Sequence, residues 1–307
     1  MFSFSMKKTL IVIVGPTAMG KTELAIQLAK HYNTEIVSAD SRQIYQELDI
    51  GVARPSAAQL SKARHHFIAC RSVEDEYNAG EFEKDALKCL ENIFSKHDIA
   101  VMVGGSGLYV RAVCEGLDAV PSGDNEVRKT IEDELRVKGL KHLQDELKQA
   151  DLDYFKSADI QNPRRVIRAL EVYRITGKSF SAHHSAEVKK RDFNIVKIGL
   201  NAEREVLYER INQRVDAMMQ RGLLDEVKKL LPLRACKALQ TVGYQELFDF
   251  LDDKTDLETA ANFIKQHTRN FAKRQLTWFR KEKDIHWFEP EREDEVIAHI
   301  NREISKT

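Results

Sequence analysis

Cysteine is scarce in this 307-residue chain: Cys70, Cys89, Cys114 and Cys236 stand far apart, with no C-x-x-C pair. That spacing argues against a zinc ribbon or a disulfide framework and leads us to expect a reduced, cytoplasmic setting. Net charge is missing too, since Lys+Arg and Asp+Glu both total 48. Any nucleic-acid surface must therefore be a local basic patch and not a global excess. No hydrophobic run reaches the length of a membrane span. Lys7-Lys8 precede an apolar stretch, but it is too short for a secretory signal and lacks a small-residue cleavage pattern. Met6 could equally be the natural start. Repeats and low-complexity tracts are absent as well. What remains is an ordinary globular composition, with enough apolar residues for one large or two modest domains.

The chain is organised around Leu10-Ile11-Val12-Ile13-Val14 and the turn behind it, Gly15-Pro16-Thr17-Ala18-Met19-Gly20-Lys21-Thr22. A β-branched apolar run reads as a buried strand. The turn fits G-x-x-x-x-G-K-[ST] at every fixed position, and Glu23 to His31 has helical spacing. Strand, loop and helix in that order make a phosphate cradle, with backbone N–H groups and a helix N-terminus aimed at the anion. Lys21 supplies a cation and Thr22 a hydroxyl suited to Mg²⁺. The motif does not say which phosphate compound is held.

Further short apolar runs predict strands at Glu35–Ala39, His66–Ile68, Ile99–Val103, Asn194–Leu200 and His286–Phe288. The expected fold is α/β, a P-loop parallel sheet flanked by helices, with a helical insertion domain and a helical C-terminal region. The expected divisions are 1–120 for the first part of the core, 121–192 for the insertion, and 193–307 for core completion and C-terminal helices. Asp40 follows the second strand, where open parallel sheets meet their ligands. It is either a base facing Lys21 or the cap of a helix starting near Gln43. His65 and His66 are adjacent in a strand and so point to opposite faces, which favours a structural or substrate-contact role over a metal site. The third strand ends in Gly104-Gly105-Ser106-Gly107, where a nucleotide hydrolase often carries a Mg²⁺-binding aspartate. In the insertion, Asn162 and Pro163 read as N-cap and first residue of a helix that carries Arg164 and Arg168. A solvated face explains these arginines as well as a phosphate contact does. Late in the chain, Lys265, Arg269, Lys273, Arg280 and Lys283 project within about an 80° arc, and Glu282 is the only acid between Asn262 and Lys283. A one-sign face on a neutral chain points to an anionic polymer.

Together these blocks resemble the tRNA dimethylallyltransferase (tRNA isopentenyltransferase) family. The resemblance rests on Gly15–Thr22, Asp40-Ser41-Arg42-Gln43, Gly51–Pro55, Gly104–Tyr109, Gln161–Arg165, Gln240–Tyr244 and Lys273–Arg280. Two blocks depart from the usual pattern: G-T-A-K-P reads Gly51-Val52-Ala53-Arg54-Pro55, and G-G-T-G-L-Y carries Ser106 for threonine. The zinc finger of some eukaryotic relatives has no counterpart. The resemblance implies transfer of a dimethylallyl group from dimethylallyl diphosphate to N6 of adenosine 37, in the tRNA anticodon stem-loop, with Mg²⁺ as cofactor and no membrane partner. A monomer is compatible with it. It also implies Asp40, Ser106 and Arg214 as catalytic residues, the P-loop as diphosphate site, and Thr22 as metal ligand. The implied tRNA contacts are Asp40-Ser41-Arg42-Gln43, Ser106, Gln161-Asn162-Pro163-Arg164-Arg165, Gln240-Thr241-Val242-Gly243-Tyr244-Gln245 and Lys273-Arg274-Gln275-Leu276-Thr277-Trp278-Phe279-Arg280. Two other readings use the same residues. A small-molecule kinase would take Asp40 as base and Arg164, Arg165 and Arg168 as lid arginines. A nucleotide-gated RNA-binding protein would need no base beside the loop.

Overall fold

The computed structural model describes residues 7–118, 120–121, 123–183 and 188–306; Met6 lies outside them. The chain forms two compact units, residues 1–114 with 190–307, and residues 115–189. In the first unit β1 (Thr9–Val14) leads through the P-loop into α1 (Lys21–His31). There follow β2 (Ile36–Ser38), α2 (Ala57–Leu60), β3 (His65–His66), α3 (Ala79–Phe94), β4 (Ile99–Val103) and α4 (Gly107–Glu115). The second unit holds α5 (Asn125–Ala150), α6 (Leu152–Ser157) and α7 (Pro163–Thr176). The chain then returns to the first unit with β5 (Asn194–Leu200), α8 (Arg204–Gln220), α9 (Leu223–Lys229), α10 (Gln245–Leu251), α11 (Leu257–Phe279), β6 (Ile285–Phe288) and α12 (Glu293–Ile304).

The six strands form one sheet in the order β3-β2-β4-β1-β5-β6, and every pairing is parallel. β1 and β4 are buried at every residue, as strands covered by helices on both faces must be. Ile11 and Ile13 join Leu28 of α1, Val101 of β4 and Ile198 of β5 in one apolar cluster. A second cluster packs Tyr244, Leu247, Ile264, Val227 and Val215 around Ile44 and Leu48. β1 sends the chain to one side of the sheet and β4 sends it to the other, so the β1–β4 edge is where a crevice opens at the carboxyl ends of the strands. No helix among the described residues is long and apolar enough to cross a membrane.

The second unit is held by Ile131, Leu143, Leu147, Val166 and Leu170. Asn162 caps α7 by accepting from Arg164 N at 3.1 Å, and Pro163 occupies its first turn. Arg168 is internally engaged: it meets buried Glu171 at 2.7 Å and donates to Pro121 O at 2.6 Å. Arg164 and Arg165 stay exposed.

Local expectations fail in three places, each for a backbone or pairing reason. The strand expected at His66–Ile68 is His65–His66, because Phe67 adopts φ +62° and Ala69 φ +47°, which no strand tolerates. Residues 41–44 make turns instead of a helix. α11 stops at Phe279, so Lys283 is not on it, and Glu282 belongs to a different partnership. Lys197 of β5, with its side chain 5% exposed, meets Glu282 at 2.7 Å and Asp284 at 3.1 Å. Burial alone would push this lysine down; its hydrogen bond to Glu282 reverses that and holds it above its ordinary value.

Removing one side of such a pair strands a buried charge, at a cost of about 3–5 kcal/mol. Lys197→Met should therefore lower the urea unfolding midpoint sharply, and adding Glu282→Gln should recover much of the loss. Equal midpoints for wild type and Lys197→Met would show that the pair is solvated.

Candidate active site

Three turns meet at the carboxyl ends of β1, β4 and β2: the P-loop, Gly104–Ser106 and Asp40–Gln43. Gly104 lies so close to Ala39 that a Cβ there would strike the Ala39 backbone. That contact draws the second and third turns together. Ser106 N donates to Ala39 O at 3.3 Å, Ser41 N donates to Ser106 Oγ at 2.9 Å, and the two hydroxyls lie 3.1 Å apart. Asp40 Oδ1 accepts from Arg42 N at 2.9 Å and Gln43 N at 3.3 Å. Its own turn therefore fixes the carboxylate through one oxygen. Gln43 Nε2 donates to Val52 O at 3.2 Å and Ala53 O at 3.1 Å, which ties the Gly51–Pro55 loop to the same turn. Arg54, in the position usually held by lysine, spends its guanidinium on the carbonyls of Tyr45, Gln46 and Leu48.

The cradle holds two half-buried cations. Lys21 Nζ donates to Pro16 O at 2.7 Å, and Arg214 from α8 donates to Thr17 Oγ1 at 3.1 Å. Burial lowers Lys21 to about 7, Arg214 adds to the fall, and Asp40 opposes it. Arg214 is likewise lowered by burial and supported by Asp40. Two cations pressed together with one carboxylate leave an electropositive hollow that an anion would relieve.

A cavity of about 490 Å³ opens from the cradle. Lys21, Asp40, Ser106 and Arg214 stand on its polar side, and Val52, Val215, Met218, Val242, Ile264 and Phe271 on its apolar side. An adjoining hollow of about 230 Å³ takes in Thr17 to Thr22 of the P-loop and shares Thr17, Lys21, Asp40, Gly105 and Arg214 with the first. Cationic cradle, carboxylate and apolar surface thus share one space, large enough for a small apolar group and a base.

α11 roofs that space. Buried Gln275 accepts from Thr17 N at 2.9 Å and donates to Gly105 O at 3.0 Å, bridging two of the turns. A Cβ at Gly107 would collide with the Trp278 indole, so the roof sits directly on the turn after β4. Glu226 of α9 fixes two wall segments at once. It accepts from Ile50 N at 2.7 Å, Gly51 N at 3.1 Å and the Tyr244 hydroxyl at 2.6 Å. Buried Glu246 accepts from Gly243 N at 2.8 Å and lies 2.6 Å from His267 Nδ1 on α11. No local motif announced Gln275 as a bridge, nor Glu226 and Glu246 as braces.

The family described as IPP transferase matches residues 43–282. A tRNA dimethylallyltransferase of Christiangramia forsetii is 50% identical over 301 residues, covering 98% of this chain and 100% of the relative. One from Bacteroides thetaiotaomicron is 44% identical over 292 residues, 95% of each chain. The chain belongs to the tRNA dimethylallyltransferase family. Solved structures agree. The tRNA isopentenylpyrophosphate transferase of Bacillus halodurans superposes with TM-score 0.73 at 36% identity, over 98% of both chains. A eukaryotic dimethylallyltransferase described as acting on tRNA gives TM-score 0.82 at 27% identity, covering 97% of this chain and 80% of its own. Membership makes the chain a prenyltransferase and sets aside the kinase and pure binding-module readings.

Of the residues that the family resemblance implies, Asp40, Ser41, Arg42, Ser106, Thr241, Val242, Gly243, Arg274 and Trp278 line the cavity. Among the other implied contacts, Tyr244 is fully buried in the second apolar cluster, Phe279 is fully buried, and Gln275, though it lines the cavity, is only 6% exposed. Part of the basic face is also spoken for: Lys265 meets Asp216 at 2.6 Å and Arg269 donates to Asn212 at 2.7 Å. Gln161, Arg164 and Arg165 are exposed in the second unit. Among the described residues one cluster has the spacing for a metal ion, Glu134, His142 and Glu146, but Arg174 already lies between its carboxylates at 3.0 and 2.5 Å.

A lysine depressed to about 7 is charged below that pH and neutral above it, and only the charged form attracts diphosphate. Affinity for dimethylallyl diphosphate should therefore fall as pH rises from 6 to 9, toward tenfold per unit above the lysine pKa. In Lys21→Ala that fall should vanish, leaving only the donor's own ionisation, which cancels in the ratio of the two proteins. Parallel titration curves measured by calorimetry would contradict the assignment.

Proposed function

We propose that this chain transfers the dimethylallyl group of dimethylallyl diphosphate to N6 of adenosine 37 in the tRNA anticodon stem-loop, releasing diphosphate. The observation that carries the reading is the shared cavity: the Lys21 and Arg214 cations, the Asp40 carboxylate and an apolar wall face one space. The donor's C–O bond breaks as negative charge grows on the diphosphate. The P-loop N–H groups, Lys21 and Arg214 are preorganised for that charge. N6 attacks the freed carbon and its proton passes to Asp40. Asp40 suits this role because its turn occupies Oδ1. Ser106, held by Ser41, orients the adenine beside it. The apolar wall of Val215, Met218 and Ile264 takes the five-carbon chain and keeps water from the developing cation. Thr22 fits a Mg²⁺ ion because it shares its hollow with the P-loop and Asp40. Bound there, Mg²⁺ would neutralise diphosphate charge. Reaching N6 requires the base to leave its stack, which an unpaired anticodon-loop base does at low cost. The free cysteines suit a cytoplasmic enzyme.

Single-turnover formation of N6-dimethylallyladenosine, followed by nucleoside mass spectrometry without ATP, tests this. Wild type should form product, and Asp40→Asn should bind both substrates yet react about 10²–10⁴-fold more slowly. No product from wild type would defeat the reading, whereas an Asp40→Asn rate within a few-fold of wild type would reduce Asp40 to a turn-forming residue.

A further inference from the structure

α11 has two working faces. Phe271, Arg274, Gln275 and Trp278 look into the reactive cavity, while Lys273 and Leu276, with Arg280 at the helix C-cap, line a separate hollow of about 500 Å³. At 100° per residue the two sets lie on opposite sides of the helix. The second hollow contains no P-loop residue, and Asp40 and Ser106 are not part of it.

Its chemistry is particular. Tyr208 of α8 and Trp287 and Phe288 of β6 give it aromatic walls. Trp287 leans on Gly199, where a Cβ would lie 2.5 Å from the indole, so the ring has a firm backing. Arg204, Lys273 and Arg280 are exposed cations on its wall. Arg204 already sits 5.1 Å from the Tyr208 ring centroid, and Arg269 lies 5.7 Å from the same ring. Glu203 and Glu289 add acceptors for the N–H groups of a base. Flat π surfaces beside cations form a stacking platform for single-stranded nucleic acid. A docked apolar peptide would desolvate the cations without pairing them. A simple anion would leave the rings unused.

We propose that this hollow holds a second unpaired nucleotide of the same RNA that delivers the reacting adenosine, its base on Trp287 and Tyr208 and its phosphate toward Arg204, Lys273 and Arg280. The inference rests on the reading that RNA is the substrate. One helix would then grip two splayed nucleotides, one on each face, and set the register of the loop against Asp40. Specificity for the unpaired loop follows, since a base-paired strand cannot straddle α11 in this way.

Trp278 and Trp287 are the two tryptophans of the chain. Trp278→Phe leaves Trp287 as the fluorescent reporter of the second hollow. An anticodon stem-loop RNA, with binding confirmed by anisotropy of a labelled copy, should quench Trp287, whereas dimethylallyl diphosphate and ATP should not. Independently, Tyr208→Ala should weaken stem-loop affinity roughly 5- to 150-fold, the range of one stacked base, and Arg204→Ala should weaken it and flatten its salt dependence by about one unit or slightly less, while donor affinity is unchanged in both. RNA that binds without quenching, together with unchanged affinity in Tyr208→Ala, overturns the proposal, as does quenching by ATP and not by RNA. No RNA binding by wild type would instead remove the tRNA reading on which it rests.

Discussion

One buried amide sets the geometry of this enzyme. Gln275 accepts a hydrogen bond from Thr17 N in the P-loop and donates one to Gly105 O in the turn after β4. Left alone, a P-loop on a parallel sheet is an open anion site, with its helix dipole and N–H groups facing water. The bridge lays α11 across that opening and converts the site into a covered cavity with an apolar roof. It also puts Arg274, Phe271 and Trp278 of α11 on the wall of the cavity that opens from the P-loop. A buried, fully used amide suits this role: both its polar atoms are satisfied, and losing either partner would leave a desolvated group.

The same loop serves hydrolases and kinases, and the differences here lie in what surrounds it. The turn after β4 brings glycines and Ser106, packed against Ala39 and Trp278, in place of an aspartate. The carboxylate comes from the end of β2 instead, with one oxygen pinned by its own turn. Desolvation, with Arg214 close by, lowers Lys21 to about 7. Its charge is thus coupled to the arrival of an anion, which helps a diphosphate compete with water. Glu226 and Glu246 then brace the walls from behind through backbone N–H groups, a Tyr244 hydroxyl and His267.

Much of this was legible from the chain itself. Short β-branched runs bounded by turns marked the central strands β1, β2, β4 and β5, since a doubly covered parallel sheet leaves little room for polar residues, whereas the two-residue edge strand His65–His66 carries no such run. The P-loop, Asp40 and Ser106 were visible because their function follows from position at strand ends. Family blocks brought in Arg214, which has no local signature; only the fold shows it beside Thr17. What stayed hidden was long-range and polar. The helix around Lys265 to Arg280 reads as a basic face, yet Lys265 and Arg269 are engaged by α8, and Gln275 turns inward. Tyr244 sits in a block that looks like a surface motif but fills the core and hydrogen-bonds Glu226. Glu282, the odd acid in a basic stretch, is explained by Lys197, a buried lysine of β5. None of these pairings has a sequence period, so none could be read from spacing.

The most direct test of the bridge is to remove it. Gln275→Leu keeps the bulk near the roof but leaves Thr17 N and Gly105 O without their partner, a loss of about 1–3 kcal/mol per buried group. With donor and stem-loop RNA affinities and single-turnover transfer measured side by side, transfer should slow by about tenfold or more and donor affinity should weaken, while the unfolding transition stays cooperative. Transfer and donor affinity within twofold of wild type would contradict the claim that this amide makes one site out of the P-loop and α11.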